Sequence, residues 1–296
     1  MPSISRPLDE LRNWFGLISL LVGSRHASAA RLYKLISTKN VLSDKTLFLN
    51  LGYWQNARDY DEACFALARI VAEVGDMNSD DLVLDAGFGF AEQDLFWTRT
   101  FRPVRIVGLN ISKLQVEIAA QRVRQAGCTD RVQLINGSAT EMPIADRSVT
   151  KVVALESAFH FDTRERFFRE AYRVLKPGGR IVLADLLYLP RVGAPSFKKR
   201  VLNNLWRSAW QIPGSNVDTV EGYAEKLRSA RFIDVQVRSI RDCVLLPFRC
   251  YVRTWLNTPN FADQMSRPMQ ILWRTASSGM APGGPLDYVI ASASRP

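Results

Sequence analysis

The stretch Val83-Leu84-Asp85-Ala86-Gly87-Phe88-Gly89-Phe90-Ala91-Glu92-Gln93-Asp94 constrains this chain more than any other. Val83 and Leu84 close a short apolar run, which reads as a buried strand ended by Asp85. Gly87 and Gly89 carry no Cβ, so the backbone can turn sharply there and a ligand can come close. Residues 92–101 then read as a helix. Strand, glycine turn and helix in succession predict an α/β fold with a crevice at the carboxyl end of a parallel sheet. Glu92 stands where the dinucleotide fingerprint G-x-G-x-x-G/A needs a small residue, so a pyrophosphate would meet a carboxylate. A nucleoside carrying a cation suits this corner better than a dinucleotide. A side chain at Gly87 is expected to fill ligand space.

The totals bound the rest. A chain of 296 residues, 47% hydrophobic and 23% charged, holds one globular α/β domain plus insertions. No apolar run reaches the ~18 residues of a bilayer-spanning helix. The N-terminus lacks the signal-peptide order of charge, apolar run and small-residue cleavage site. Cys64, Cys128, Cys243 and Cys250 show no C-x-x-C pairing, and the chain has only two histidines. No metal site is expected, and reduced thiols in a cytoplasmic setting are. A net charge of +10 favours anionic partners. The basic residues are spread out apart from Lys198-Lys199-Arg200, and no nucleic-acid motif accompanies them, so nucleic-acid binding is set aside.

Residues 1–46 precede the main domain. Apolar helices are expected over 8–22 and 31–36, serving as a lid over the site, a homodimer contact or a peripheral membrane contact. An amphipathic helix is expected over 60–74. Further strands are expected over 104–109, 131–135, 151–155, 180–185, 233–240 and 286–293, and helices over 113–125, 163–175 and 222–230. Ser112 is a fair N-cap for the helix that follows it, and residues 176–179 read as a turn. Segments 186–220 and 241–284 are longer than connections in a compact sheet need. Both are rich in aromatics and read as caps that shape a largely apolar pocket. The expected units are thus 1–46, a cofactor-binding core over 47–185, a cap over 186–220, and the end of the sheet over 221–296.

The motif V-L-D-A-G-F-G-F-A resembles motif I of the class I S-adenosylmethionine-dependent methyltransferases. The small-molecule group with erythromycin and rebeccamycin sugar O-methyltransferases and tocopherol methyltransferases is similar over about residues 47–237. F-x-E-x-x-R-V-L-K-P-G-G at 168–179 is a hallmark of the same family. The resemblance implies a Rossmann-like, seven-stranded, mostly parallel sheet with a helical N-terminal lid and cap insertions. It implies S-adenosylmethionine as cofactor, held by Tyr53, Asp85, Ala86, Gly87, Gly89, Asn110, Ile111, Gln115, Ser138, Ala139 and Glu156. Tyr53 lies in Asn50-Leu51-Gly52-Tyr53-Trp54, which resembles a segment placing a tyrosine near the sulfonium, where a ring face and its oxygen suit a cation. Three positions depart from the pattern, the mildest being Ala91 in place of the third glycine of motif I. Asn110 holds the place of an acid that takes the ribose hydroxyls, and Ser138 that of an acid that contacts the adenine amino group.

Methyl transfer to an O–H also needs the proton removed. His160 follows the fourth strand, and a histidine near neutrality suits general-base work. In the sugar O-methyltransferases resembled here, a histidine at this place is the proposed base and an acid at the place of Asp185 assists. His26 reads as structural. Competing classes are a nicotinamide oxidoreductase, disfavoured by Glu92, and a non-catalytic methyltransferase-like binding protein. The expected partner is a small-molecule acceptor, most simply a hydroxyl on a bulky secondary metabolite. The alternative is carbon or nitrogen methylation of a lipid-like acceptor, favoured by the basic charge and apolar N-terminus.

Overall fold

The computed structural model describes residues 42–43, 45–190, 197–258 and 266–296. The helices expected over 8–22 and 31–36 lie outside them. A seven-stranded sheet forms the centre: β1 (Leu82–Ala86), β2 (Arg105–Asn110), β3 (Val132–Asn136), β4 (Val149–Leu155), β5 (Leu175–Tyr188), β6 (Ile233–Ser239) and β7 (Leu286–Ser294). Their order across the sheet is β3-β2-β1-β4-β5-β7-β6. The first five run parallel, and β7 lies antiparallel between β5 and β6. The order reverses between β1 and β4. Connections leave in opposite directions there, and the crevice that binds ligands in such sheets opens at that point.

Strand parity sorts the core, because successive side chains point to opposite faces. Val83, Val153, Leu155, Val182 and Ala184 pack into a cluster with α1 (Tyr60–Val74), α7 (Arg241–Leu256) and α8 (Arg267–Ser278). Leu84, Val152, Ala154, Ile181 and Leu183 pack into a second cluster with α4 (Arg164–Val174) and α6 (Val220–Ser229). A third, smaller cluster joins Leu95 of α2 (Glu92–Thr100) to Ala119 and Val123 of α3 (Lys113–Gln125). Each fully buried Leu, Ile or Phe contributes roughly 1.5–3 kcal/mol.

Helices α1 and α3 span the residues expected of them. Side-chain caps explain this: Asp59 accepts from Glu62 N, and Ser112 accepts from Gln115 N. Strand β5 differs. Residues 176–179, expected as a turn, lie within the bounds of β5. Gly178 N–H donates to Arg295 O at 2.9 Å, and Arg295 N–H donates to Gly179 O at 2.8 Å. The chain end thus sews the turn into the sheet. Segment 241–284 contains α7 and α8, and α5 (Phe197–Ala209) lies within 186–220.

Pro247 sits inside α7. Proline has no N–H, so it leaves the carbonyl of Cys243 without its helical donor. Trp54 N–H donates to that carbonyl at 2.8 Å, which ties segment 47–54 to α7. All four cysteines are free thiols.

Candidate active site

A cavity of about 560 Å³ opens at the carboxyl ends of β1, β2 and β4. That volume suits a small-molecule site. The expected site residues Gly87, Gly89, Asn110, Ile111, Gln115, Ser138, Ala139, Glu156 and His160 all line it. They gather at the ends of four strands: Gly87 and Gly89 after β1, Asn110 closing β2 with Ile111 and Gln115 following, Ser138 and Ala139 after β3, and Glu156 and His160 after β4. Asp85, Ala86, Asp185 and Tyr53 do not line it.

The glycine turn forms the floor. Gly87 has φ +97° and Gly89 φ +57°, both in the left-handed region. A Cβ on Gly87 would lie 2.4 Å from Ser157 Cβ. The expectation that it would fill ligand space is therefore corrected: it would strike the protein itself. A Cβ on Gly89 would meet only Leu49 Cδ1, at 3.5 Å. Ser157 Oγ donates to Ala86 O, which locks the ends of β1 and β4 together.

Asp85 stands behind this floor, reaching the cavity only through Gln93, whose Nε2 donates to Asp85 Oδ2 at 3.0 Å. Beside it lies Asp94, which the sequence reading passed over. Both carboxyls are fully buried. Burial raises Asp85 to about 7, against the donor from Gln93. Burial first, then the charge of Asp85, raises Asp94 well above the carboxylate range. The pair holds a proton at neutral pH. Spacing i, i+9 across a glycine turn gives no sequence signal for such a pair.

Two other carboxylates pin the segment that crosses the cavity, whose Leu47, Leu49 and Asn50 line it. Leu47 N–H donates to Glu92 Oε1 at 2.8 Å, and Arg122 also binds Glu92. Leu51 N–H donates to Glu156 Oε1 at 2.6 Å, and Tyr288 Oη donates to the same oxygen at 2.8 Å. Burial raises Glu156 to about 8 despite these donors. Glu156 makes no ion pair among the described residues, and its φ is +52°. A buried carboxyl lacking a cation of its own, on the wall of a cavity, suits a cationic ligand.

His160 ends a short 3-10 turn, Ala158–His160, after β4. Its Nδ1 lies 3.3 Å from Gln211 O. A carbonyl only accepts, so Nδ1 carries the proton and Nε2 is the basic nitrogen. Desolvation lowers the imidazole to about 4, with the Arg164 charge adding to it against the Gln211 bond, so His160 is neutral at physiological pH. Its ring packs on Phe159, centroids 3.9 Å apart.

Asp185 has a different place from the one expected. It shares parity with Ile181 and Leu183 and faces α4 and α6, away from the cavity. Its Oδ2 accepts from Arg164 Nε at 2.9 Å and Tyr223 Oη at 3.1 Å. Its Oδ1 accepts from Phe159 N–H at 2.9 Å and Leu186 N–H at 3.1 Å. Arg164 is fully buried and donates onward to Asn216 O at 2.6 Å and Leu186 O at 2.7 Å. Asn216 Nδ2 in turn donates to Phe159 O at 3.1 Å and Phe161 O at 2.8 Å. Asp185 thus acts on the His160 turn through the backbone of Phe159. A buried arginine on the first turn of α4 was the missed signal: the sequence shows it only as one more charge in a helix.

Tyr53 also lies apart. Its hydroxyl donates to Gln55, and Cys243 stands beside it. At the far end of the cavity are Phe161, Asp162, Thr163, Arg207, Pro213 and Ser215; the last three belong to 186–220, the segment expected to cap the pocket, and none of the six was named as a site residue.

Residues 84–183 match the family described as "Methyltransferase domain". Erythromycin 3''-O-methyltransferase of Saccharopolyspora erythraea is 37% identical over 280 residues, 92% of each chain. The 27-O-demethylrifamycin SV methyltransferase of Amycolatopsis mediterranei is 37% identical over 48% of this chain and 52% of its own. Among solved structures, the [4+2]-cyclase SpnF superposes with a TM-score of 0.72 at 24% identity, over 91% of this chain and 96% of that one. With a relative this similar over nearly its whole length, and with the crevice built as described, this chain belongs to the S-adenosylmethionine-dependent methyltransferases and is an enzyme that acts on a small-molecule acceptor.

Proposed function

We propose that the enzyme methylates a hydroxyl oxygen of a bulky secondary metabolite, a macrolide or its glycoside, with His160 as the base. The observation that carries this reading is the His160 imidazole, held neutral on the cavity wall with its Nδ1 proton committed to Gln211. The names of two 37%-identical relatives, an erythromycin 3''-O-methyltransferase and a 27-O-demethylrifamycin SV methyltransferase, support the same class.

The residues present fit the cofactor. Gln115 offers an unpartnered buried donor, and Glu156 a carboxyl without a cation. In this reading the Gly87–Gly89 turn, Asn110, Ile111, Gln115, Ser138, Ala139 and Glu156 hold S-adenosylmethionine. When bound, it supplies an electrophilic methyl group on a sulfonium. The chain's own residues supply alignment, worth about 7–11 kcal/mol in well-oriented reactions. His160 Nε2 accepts the acceptor's hydroxyl proton. Asp185 and Arg164 hold the turn that carries His160, and Asp85 supports the glycine turn from behind. Residues 47–185 hold the cofactor in this scheme, and 186–220 and 241–284 cap the acceptor end.

The test is a panel of macrolide aglycones and glycosides with trideuteromethyl S-adenosylmethionine, read by mass spectrometry with fragmentation. Label on an oxygen of a macrolide or glycoside supports the proposal. Label on carbon or nitrogen of a prenyl or phospholipid acceptor included in the panel replaces it with the lipid-like alternative.

A further inference from the structure

The cap helices hold most of the chain's excess charge. Of its 39 lysines and arginines, four lie on α5, three on α7 and two on α8. Of its 29 acids only Asp242 lies there, so most of the net +10 sits on these three helices. Helix α8 packs on both of the others. Phe248 of α7 meets Trp273 with ring centroids 5.9 Å apart. Trp206 and Trp210 of α5 donate to Ser278 Oγ at 2.7 Å and to Ala276 O at 3.1 Å. Met269, Leu272 and Ala276 form the buried face of α8. Arg267, Ile271, Arg274 and Ser278 form its outer face, at the helical spacing i, i+4, i+7, i+11, and all four are exposed. Ile271 is 45% exposed between the two arginines, and Val201 of α5 is 51% exposed. Neither arginine makes an ion pair among the described residues, nor do Arg249 and Arg253 of α7.

We propose that the outer face of α8 docks on the surface of a bilayer rich in anionic lipid. Guanidinium groups match phosphate oxygens in geometry and charge. An aliphatic side chain between them reaches past the headgroups into the acyl boundary. The contact is peripheral: the helix lies on the surface and its buried face stays in the core. A second copy suits the face less well, because a two-fold contact brings these arginines toward their own equivalents. Trp206, which reaches Ser278 on this face, is followed by Arg207, which lines the cavity. Docking therefore brings the acceptor end of the cavity near a surface where a largely apolar acceptor collects. The docking itself does not rest on the identity of that acceptor.

The test is co-sedimentation of the full chain with vesicles of phosphatidylcholine alone and of phosphatidylcholine mixed with phosphatidylglycerol. The parent should bind the anionic vesicles and not the neutral ones, and the binding should weaken as salt rises. Arg267→Gln combined with Arg274→Gln should weaken it about 30-fold. Ile271→Ser, which keeps the charge, should weaken it about tenfold. Equal binding by the parent and the double variant overturns the proposal, as does a parent that ignores anionic vesicles. Loss on removing the charges, with Ile271→Ser binding as the parent does, overturns it in favour of an acidic protein surface. A dimer in sedimentation velocity that Ile271→Ser dissolves assigns the face to a second copy and also overturns it. None of these failures touches the O-methylation reading, which the labelled panel tests separately.

Discussion

Glu156 carries a carboxyl that burial raises to about 8. A glutamate in an unfolded chain titrates near about 4.3. Between those values the folded protein holds a proton that the unfolded chain has lost. The group's contribution to stability is fully present below about 4.3 and is lost as pH rises through about 8. Asp85 adds to the same trend through about 7. A cationic ligand favours the ionised carboxyl, so S-adenosylmethionine should release protons on binding at neutral pH and bind more tightly as pH rises. Calorimetry in buffers of different ionisation enthalpy measures this. Glu156→Gln should diminish the release, and a buffer-independent enthalpy in the parent would contradict the account. Asp185 leads to a prediction of stability. Replacing it with asparagine leaves the Arg164 charge buried without its counter-ion, at a cost of about 3–5 kcal/mol. Thermal unfolding should show a clear fall in Tm; an unchanged Tm with reduced turnover would return Asp185 to the chemistry. The sequence placed Asp185 at the end of a strand but not on a face, because parity is set by pairing with β4 and β7.

Among the elements, the segment 47–54 depends on contacts that no local pattern announces. Glu92 holds one end, Glu156 the middle and Cys243 O the other end. Glu92→Ala should therefore weaken cofactor binding about tenfold, the scale of a charge-assisted bond, and hasten proteolysis near Leu47. Unchanged affinity would show that the segment is held without Glu92. The glycine turn separates fold from ligand. Gly87→Ala should lose stability or solubility because of Ser157, whereas Gly89→Ala should fold at a cost of about 1–2 kcal/mol for its left-handed backbone. Comparable stability of the two variants, read by thermal unfolding, would contradict this. Helices α1 and α3 were legible to the residue, whereas α6, capped by Thr219, starts two residues before the expected 222–230. The ends of β2, β3 and β5 shifted, because a strand ends where its neighbour stops pairing.

At the scale of the molecule, the order of strands follows from one glycine turn and the βα alternation after it, and most of the cavity wall lay in loops that this order brings together. The segment at its far end was legible as a cap, but not which of its residues line the cavity with His160, namely Arg207, Pro213 and Ser215. No helix among the described residues is long and apolar enough to cross a membrane. The fold alone does not dictate methyl transfer, since a [4+2]-cyclase shares it. The direct test is the turnover of His160→Ala on the hydroxylated acceptor that the panel identifies, across pH. The account predicts a fall in kcat of ~10²–10⁴-fold with cofactor affinity retained. It also predicts a parental kcat/KM that is flat through neutrality and falls only toward pH about 4, where desolvation has placed the imidazole. Near-parental turnover in His160→Ala on that acceptor would contradict it.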